Sequence, residues 1–311
     1  MHTPTGKNLL GFMLSLNAAA LWGLLPIAIK EIVITMDPFT LVWYRFLLAL
    51  FVLFVYLFYQ RRLPVFGSLS RKSILLLITA GVGLCINYLL FALSLNYVNA
   101  ETAEALIQLT TLFLFLGGVI VYREPFFLVQ KFGALLIVIG MVLFFNDRFV
   151  ELLGGESDLL LGVVILIMAS LAWVIYALLQ KYLLTTFDSV QILFIVYLVS
   201  TLLLLPLIGA SSLFTLTPLQ LGLLLFCCLN TVLAYGSFAE ALVHWHASKV
   251  SAVLALAPIF TIVGLKLVVW LIPGYEYTDH LNFLSVIAAL ILVLGSVTVA
   301  LVPLYVNRGD V

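Results

Sequence analysis

The sequence predicts an all-α integral membrane protein with ten transmembrane helices, built as two inverted five-helix repeats over residues 1–150 and 151–311. Three observations predict it. Hydrophobic residues make up 65% of the chain and charged residues 9%, with a mean hydropathy of +1.27, whereas a soluble domain carries roughly 25% charge. Apolar runs of about 20 residues recur along the whole length, each long enough as a helix to cross a hydrocarbon core roughly 30 Å thick. Motifs of the first half also return in the second in the same order. The runs lack the polar alternation of an outer-membrane strand, so helices and not a barrel are implied.

Clusters of charge, Pro and Gly separate the runs. The first helix is expected near 9–29, as an uncleaved span, because its apolar run continues past Ala18, Ala19 and Ala20, where a signal peptide would be cut. "TMDP" precedes the second helix, 38–59, and "RRLPVFGSLSRK" the third, 73–95. A short loop from Asn96 to Ala100 leads to the fourth, 101–121, and "REP" to the fifth, 127–146. "NDRFVELLGGESD" divides the halves. The sixth, seventh and eighth follow at 159–180, 188–209 and 218–242. A short break from His244 to Ser248 precedes the ninth, 249–272, and "IPGYEYTDH" the tenth, 281–305.

Counting Lys and Arg in alternate loops places ten on one side and two on the other, with Arg45 and Lys266 held back as intramembrane residues. By the positive-inside rule both termini are expected in the cytoplasm. Basic and acidic residues number 14 each, so no global charge suggests a nucleic acid partner. Cys85, Cys227 and Cys228 lie inside apolar runs without disulfide or zinc spacing, and read as small packing residues. No metal or cofactor is expected.

The repeat is carried by "ALWGLLPIAIK" and "LAWVIYALLQK": Trp22 and Lys30 meet Trp173 and Lys181 at an offset of 151, which also carries Asp37 onto Asp188. "CIN" at Cys85 to Asn87 matches "CLN" at Cys228 to Asn230, and Ala100 to Phe113 aligns with Ala247 to Phe260. Glu124 and Glu276 each follow the fourth helix of their half; Gly140 and Gly295 sit in the fifth. Five is an odd number, so the second copy starts on the opposite face and runs upside down, the architecture of many secondary transporters.

"LWGLLPIAIK", "DPFTLVWYRFLLAL", the two Glu hairpins and the two five-helix halves together resemble the EamA family of the drug/metabolite transporter superfamily, over nearly the whole chain. The resemblance implies ten helices, a bacterial inner-membrane transporter, and a central cavity lined by the first, third and fourth helices of each half. In this sequence Pro125 stands where the family usually has Arg after the Glu. Thr110 and Thr111 stand where a Pro is common, although Pro258 keeps it in the second half.

Polar groups inside apolar helices are expensive unless they face water or a partner, on the order of 3 kcal/mol per charge. Glu101, Glu104, Gln108 and Thr111 fall on one face of the fourth helix, which is expected to line the cavity. Glu101 reads equally as an outer-loop residue. Arg45 lies about 10 Å into the second helix on the side from which Glu104 enters. It reads first as half of a structural ion pair, because the guanidinium is permanently charged and suits fixed bidentate pairing. Asn230, Ser237, Glu240 and His244 share a face of the eighth helix. Glu240 and His244 read either as a proton relay or as a solvated helix end.

Ser170, Trp173, Tyr176 and Gln180 form a face of the sixth helix, matched in the first by Ala19, Trp22, Leu25 and Ile29. Aromatic walls with few hydrogen-bonding groups suit amphipathic or aromatic small molecules better than phosphates. A Trp can also anchor at the membrane interface. The candidate substrate-binding set is thus Trp22, Asn87, Tyr88, Glu104, Gln108, Trp173, Tyr176, Asn230 and Ser251, with Glu104, Glu240 and His244 as proton-coupling candidates. Pro26 and Pro258 lack the backbone N–H and can loosen their helices locally.

The function expected is a secondary, non-ATP carrier moving a small organic metabolite or drug-like compound, as an exporter, by alternating access. No phosphate-binding Gly loop accompanies it. The partners expected are the substrate and the lipid bilayer, for a monomer or homodimer. The rival class is an integral membrane enzyme acting on a lipid or isoprenoid. That would need a dense catalytic constellation, and Glu240, His244 and His246 are the nearest approach to one.

Overall fold

A computed structural model describes residues 7–64, 70–123, 127–146, 158–245, 247–272 and 282–306. Every regular element among them is helical. In chain order these are α1 (Asn8–Ile32), α2 (Pro38–Tyr59), α3 (Arg71–Ser94), α4 (Ala100–Ile107), α5 (Leu109–Tyr122), α6 (Leu128–Phe144), α7 (Asp158–Leu183), α8 (Ser189–Leu204), α9 (Pro218–His244), α10 (Ala247–Leu254), α11 (Ala257–Leu271) and α12 (Phe283–Val306). Among the described residues, eight spans are long and apolar enough to cross a membrane, with α4 and α5 together forming one of them and α10 and α11 another; α6 and α12 supply shorter apolar helices. Glu124, Pro125, Glu276 and His246 lie outside the described residues.

Helix starts follow local chemistry. Asp37 and Asp188, matched in sequence, do the same work: each carboxylate accepts the N–H three residues on, Thr40 and Gln191, at 2.9 Å. Asn99 caps α4 by accepting from the Thr102 N–H at 3.0 Å. Thr217 and Gln220 close a reciprocal capping box on α9, with Pro218 in its first turn. The seventh predicted helix ends earlier than expected. Pro206 has no N–H to continue the ladder, so α8 stops at Leu204 and a 3₁₀ turn follows over Leu205–Leu207. Across Ala18, Ala19 and Ala20, α1 runs without a break.

Helices of the first half lie antiparallel against helices of the second. Along α1 and α9, Asn17 donates to Ser237 Oγ at 2.8 Å and Gln220 to Thr35 Oγ1 at 2.9 Å. Between α3 and α7, Asn87 donates to the Ala169 carbonyl at 2.9 Å, and Lys72 to the Tyr182 hydroxyl at 3.1 Å. Between α2 and α8, the Trp43 indole donates to the Thr201 carbonyl at 3.1 Å, while Arg62 pairs with Asp188 at 3.0 Å just beyond the helix ends. Helices α6 and α12 meet through glycines: a Cβ on Gly133 would lie 2.9 Å from the Gly295 carbonyl oxygen, and one on Gly295 would lie 2.8 Å from the Gly133 carbonyl. Close backbone approach at small residues is how apolar helices associate in lipid, where burying apolar surface brings no gain. The outer surface carries large apolar side chains such as Phe51, Phe58, Leu128 and Trp270, all exposed.

The feature that positions the site is a pair of breaks. The fourth predicted helix is interrupted at Gln108, between α4 and α5, and the ninth at Ala255 and Leu256, between α10 and α11. These are equivalent positions at the offset of 147 that aligns Ala100 with Ala247. In the second half Pro258, which lacks a backbone N–H, sits in the first turn of α11. In the first half the Thr110 hydroxyl, not a proline, donates to the Ile107 carbonyl at 2.6 Å.

Candidate functional site

The two breaks face each other. Gln108 Nε2 donates to the Ala255 carbonyl at 3.3 Å, so a side chain at one break meets the backbone at the other. Around this contact lies a cavity of about 540 Å³, within the range of small-molecule sites. Its wall includes Trp22 and Leu25 of α1, Arg45 of α2, Asn87, Tyr88 and Phe91 of α3, Glu104 and Gln108 at the first break, Trp173 of α7, Tyr235 of α9, and Ser251 and Ala255 at the second break. It continues along Gly118, Gln130, Leu178 and Lys181.

Seven of the nine candidate substrate-binding residues line this space: Trp22, Asn87, Tyr88, Glu104, Gln108, Trp173 and Ser251. Trp22 is set edge-on against Tyr235, with ring centroids 5.3 Å apart and planes at 72°, a favoured aromatic arrangement. Glu104 is buried at 5% exposure and has no hydrogen-bonded or ionic partner among the described residues.

Two candidates lie elsewhere. Asn230 donates to the Leu21 carbonyl and so joins α9 to α1; a one-face pattern along α9 marked a helix–helix contact as readily as a cavity wall. Tyr176 is 2% exposed and sits where α7 meets Gly83 of α3, its Cβ 3.6 Å from the place a Gly83 Cβ would take. Glu240 and His244 are also off the cavity wall. Oε1 of the exposed Glu240 lies 3.2 Å from Nε2 of the buried His244. Of the coupling candidates, Glu104 alone lines the cavity.

The ion pair expected for Arg45 is not formed. Arg45 is 3% exposed; its guanidinium donates from Nε to Thr231 Oγ1 at 3.1 Å, and its Cζ lies 4.4 Å from the centre of the Tyr88 ring. Both Arg45 and Glu104 border the cavity, which lets them stay apart. Sequence reasoning also missed Tyr235, Phe91 and Gln130 on the wall; an aromatic or Gln in an apolar helix carries no mark of which way it points.

Lys30 has a structural answer. Its ammonium donates to the Leu95 carbonyl and, at 3.0 Å, to the Val98 carbonyl, where α3 ends. A cation at a helix C-terminus satisfies open carbonyls and complements the helix dipole. Replacing Lys30 by Met is therefore expected to lower stability by about 2 kcal/mol, the scale of charge-assisted hydrogen bonds, as a fall in melting temperature of the purified protein. Lys181, its repeat partner, lies at the edge of the cavity with Nζ 4.7 Å from the Tyr122 ring centre.

The model of the EamA-like transporter family matches residues 9–146 and 160–301. A protein named "Uncharacterized transporter" from Haemophilus influenzae is 39% identical over 295 residues, covering 95% of this chain and 96% of its own. The "Uncharacterized inner membrane transporter YhbE" of Escherichia coli K12 is 36% identical over 288 residues, covering 92% and 90%. A solved crystal structure superposes with a TM-score of 0.64 over 94% of this chain and 97% of that one, at 14% identity, which is a likeness of fold alone.

Proposed function

The chain belongs to the EamA-like transporter family, and on that premise we propose that it is a secondary carrier exporting a small organic molecule from the cytoplasm by alternating access. The observation that carries this reading is the cavity bounded by both halves and centred on two equivalent helix breaks joined by Gln108 and Ala255. Broken helices near the midplane are where transporters of inverted design bind substrate.

In this reading ten crossings form two five-helix repeats, 1–150 and 151–311, in a bacterial inner membrane. Antiparallel pairing of α1 with α9, α2 with α8, α3 with α7 and α6 with α12 supports it, because each pair takes one helix from each repeat. Both termini lie in the cytoplasm. The cavity then faces inward: Gly118, Gln130 and Lys181 are on its cytoplasmic side, while Lys30 and the ends of α1 and α3 close the outer side. Substrate loads from the cytoplasm against Trp22 and Trp173, and rocking of the halves about the breaks exposes it to the other side.

The test is a metabolite screen by thermal shift on the purified protein, followed by counterflow in proteoliposomes with the stabilising compound. Expected are saturable exchange in the wild type and at least a tenfold loss of affinity in Trp22→Ala/Trp173→Ala. Ligand stabilisation that survives both changes would place the pocket elsewhere.

A further inference from the structure

Arginine carries five N–H donors and stays protonated in proteins. In Arg45 one of the five is used, by Nε on the Thr231 hydroxyl. The four N–H groups on its terminal nitrogens have no partner among the described residues, although the residue is only 3% exposed. The Tyr88 ring lies against the guanidinium, 4.4 Å from Cζ to ring centre, and with Thr231 it holds the charge in place at the cavity wall. A positioned guanidinium with its paired donors unspent matches a carboxylate, which accepts two parallel N–H bonds. Left without an anion, a charge so buried is costly.

We propose that Arg45 binds the anionic group of the transported molecule, a carboxylate carried on an apolar or aromatic body. The carboxylate takes the terminal donors of Arg45, and the body lies along Trp22, Phe91 and Trp173, which share the wall. Arg45 thus sets specificity rather than bracing the first half. The assignment rests on the carrier reading above for the meaning of "transported", and its test separates the two.

The experiment uses full-length protein in nanodiscs and matched probes, 3-phenylpropionate and its neutral amide 3-phenylpropanamide, at constant ionic strength. Binding is followed by intrinsic tryptophan fluorescence and thermal shift. Expected is at least tenfold tighter binding of the carboxylate by the wild type, a preference absent in Arg45→Gln. Arg45→Lys, which keeps the charge and loses the planar fork, is expected to lose at least threefold of the preference, and serves if the Gln variant does not fold. Equal binding of the two probes by the wild type, or an undiminished preference in either variant, overturns the assignment. Counterflow of the same probes reads the carrier function separately. A wild type that prefers the carboxylate yet exchanges nothing counts against the carrier and leaves Arg45 as an anion site; exchange whose preference is unchanged in Arg45→Gln does the reverse.

Discussion

Gly23→Val is expected to destabilise the protein by about 3 kcal/mol and to abolish transport. Gly23 lies one residue from the cavity tryptophan Trp22, where α1 crosses the start of α11. A Cβ there would overlap the Ala257 carbonyl oxygen and lie 2.7 Å from the Phe260 Cβ. Neither obstacle is the far end of a flexible side chain, so the helices must separate, and overpacking of this kind costs about 1–3 kcal/mol or more. Separation would also break the bond from the Thr261 hydroxyl to the Gly23 carbonyl, 2.6 Å in the wild type, and shift Trp22, Leu25 and Ala257 on the cavity wall. Thermal unfolding in detergent measures the first effect and counterflow the second. Gly222 of α9 is the control, since nothing lies within 4 Å of a Cβ built on it. Gly222→Ala should leave stability unchanged or raise it by up to about 1 kcal/mol through helix propensity. If Gly23→Val melts with the wild type, the contact between α1 and α11 is not as close as described.

Glu104→Gln should uncouple transport from a proton gradient. Glu104 borders the cavity, is 5% exposed, and has no described partner to neutralise it. A lone carboxylate in such a place is costly, and the cost is relieved by a proton or by a cationic group entering the cavity. A carboxyl that gains and loses that proton as the halves rock would couple the two movements. Glutamine imitates the protonated form in size but cannot cycle. In vesicles with an imposed pH gradient, wild-type protein should accumulate substrate and Glu104→Gln at least tenfold less, while solute-for-solute exchange continues. Accumulation at the wild-type level in the variant would remove Glu104 from the coupling step, and indifference of the wild type to the gradient would remove proton coupling altogether. Glu240, exposed and in contact with His244 away from the cavity wall, should tolerate the same change.

Much of the cavity wall was legible in the sequence, and the exceptions share a cause. Trp22, Trp173, Glu104 and Gln108 were found because polar or aromatic residues at helical spacing in an apolar span have few cheap places to go. Asn230 turned instead to the α1 backbone, and Tyr176 packed into the contact with α3, its hydroxyl without a hydrogen-bond partner among the described residues. Arg45 showed the limit most clearly. Its depth and charge marked it, but the choice between a Glu104 partner and the Thr231 hydroxyl depended on how α2, α3, α4 and α9 stand around one space.

Hydropathy, caps and prolines are local properties, so the chain by itself determined the order of the helices, their starts at Asp37, Asn99, Asp188 and Thr217, and the duplication that matches Trp22 with Trp173. Tertiary structure decided where the fourth and ninth helices break, which glycines let α6 meet α12, and which face of each helix borders the cavity. The physical reason is that lipid and protein interior are equally apolar. Hydrophobicity therefore does not distinguish the outward Phe51 from the buried Phe46, and only the fit of one helix surface to another can.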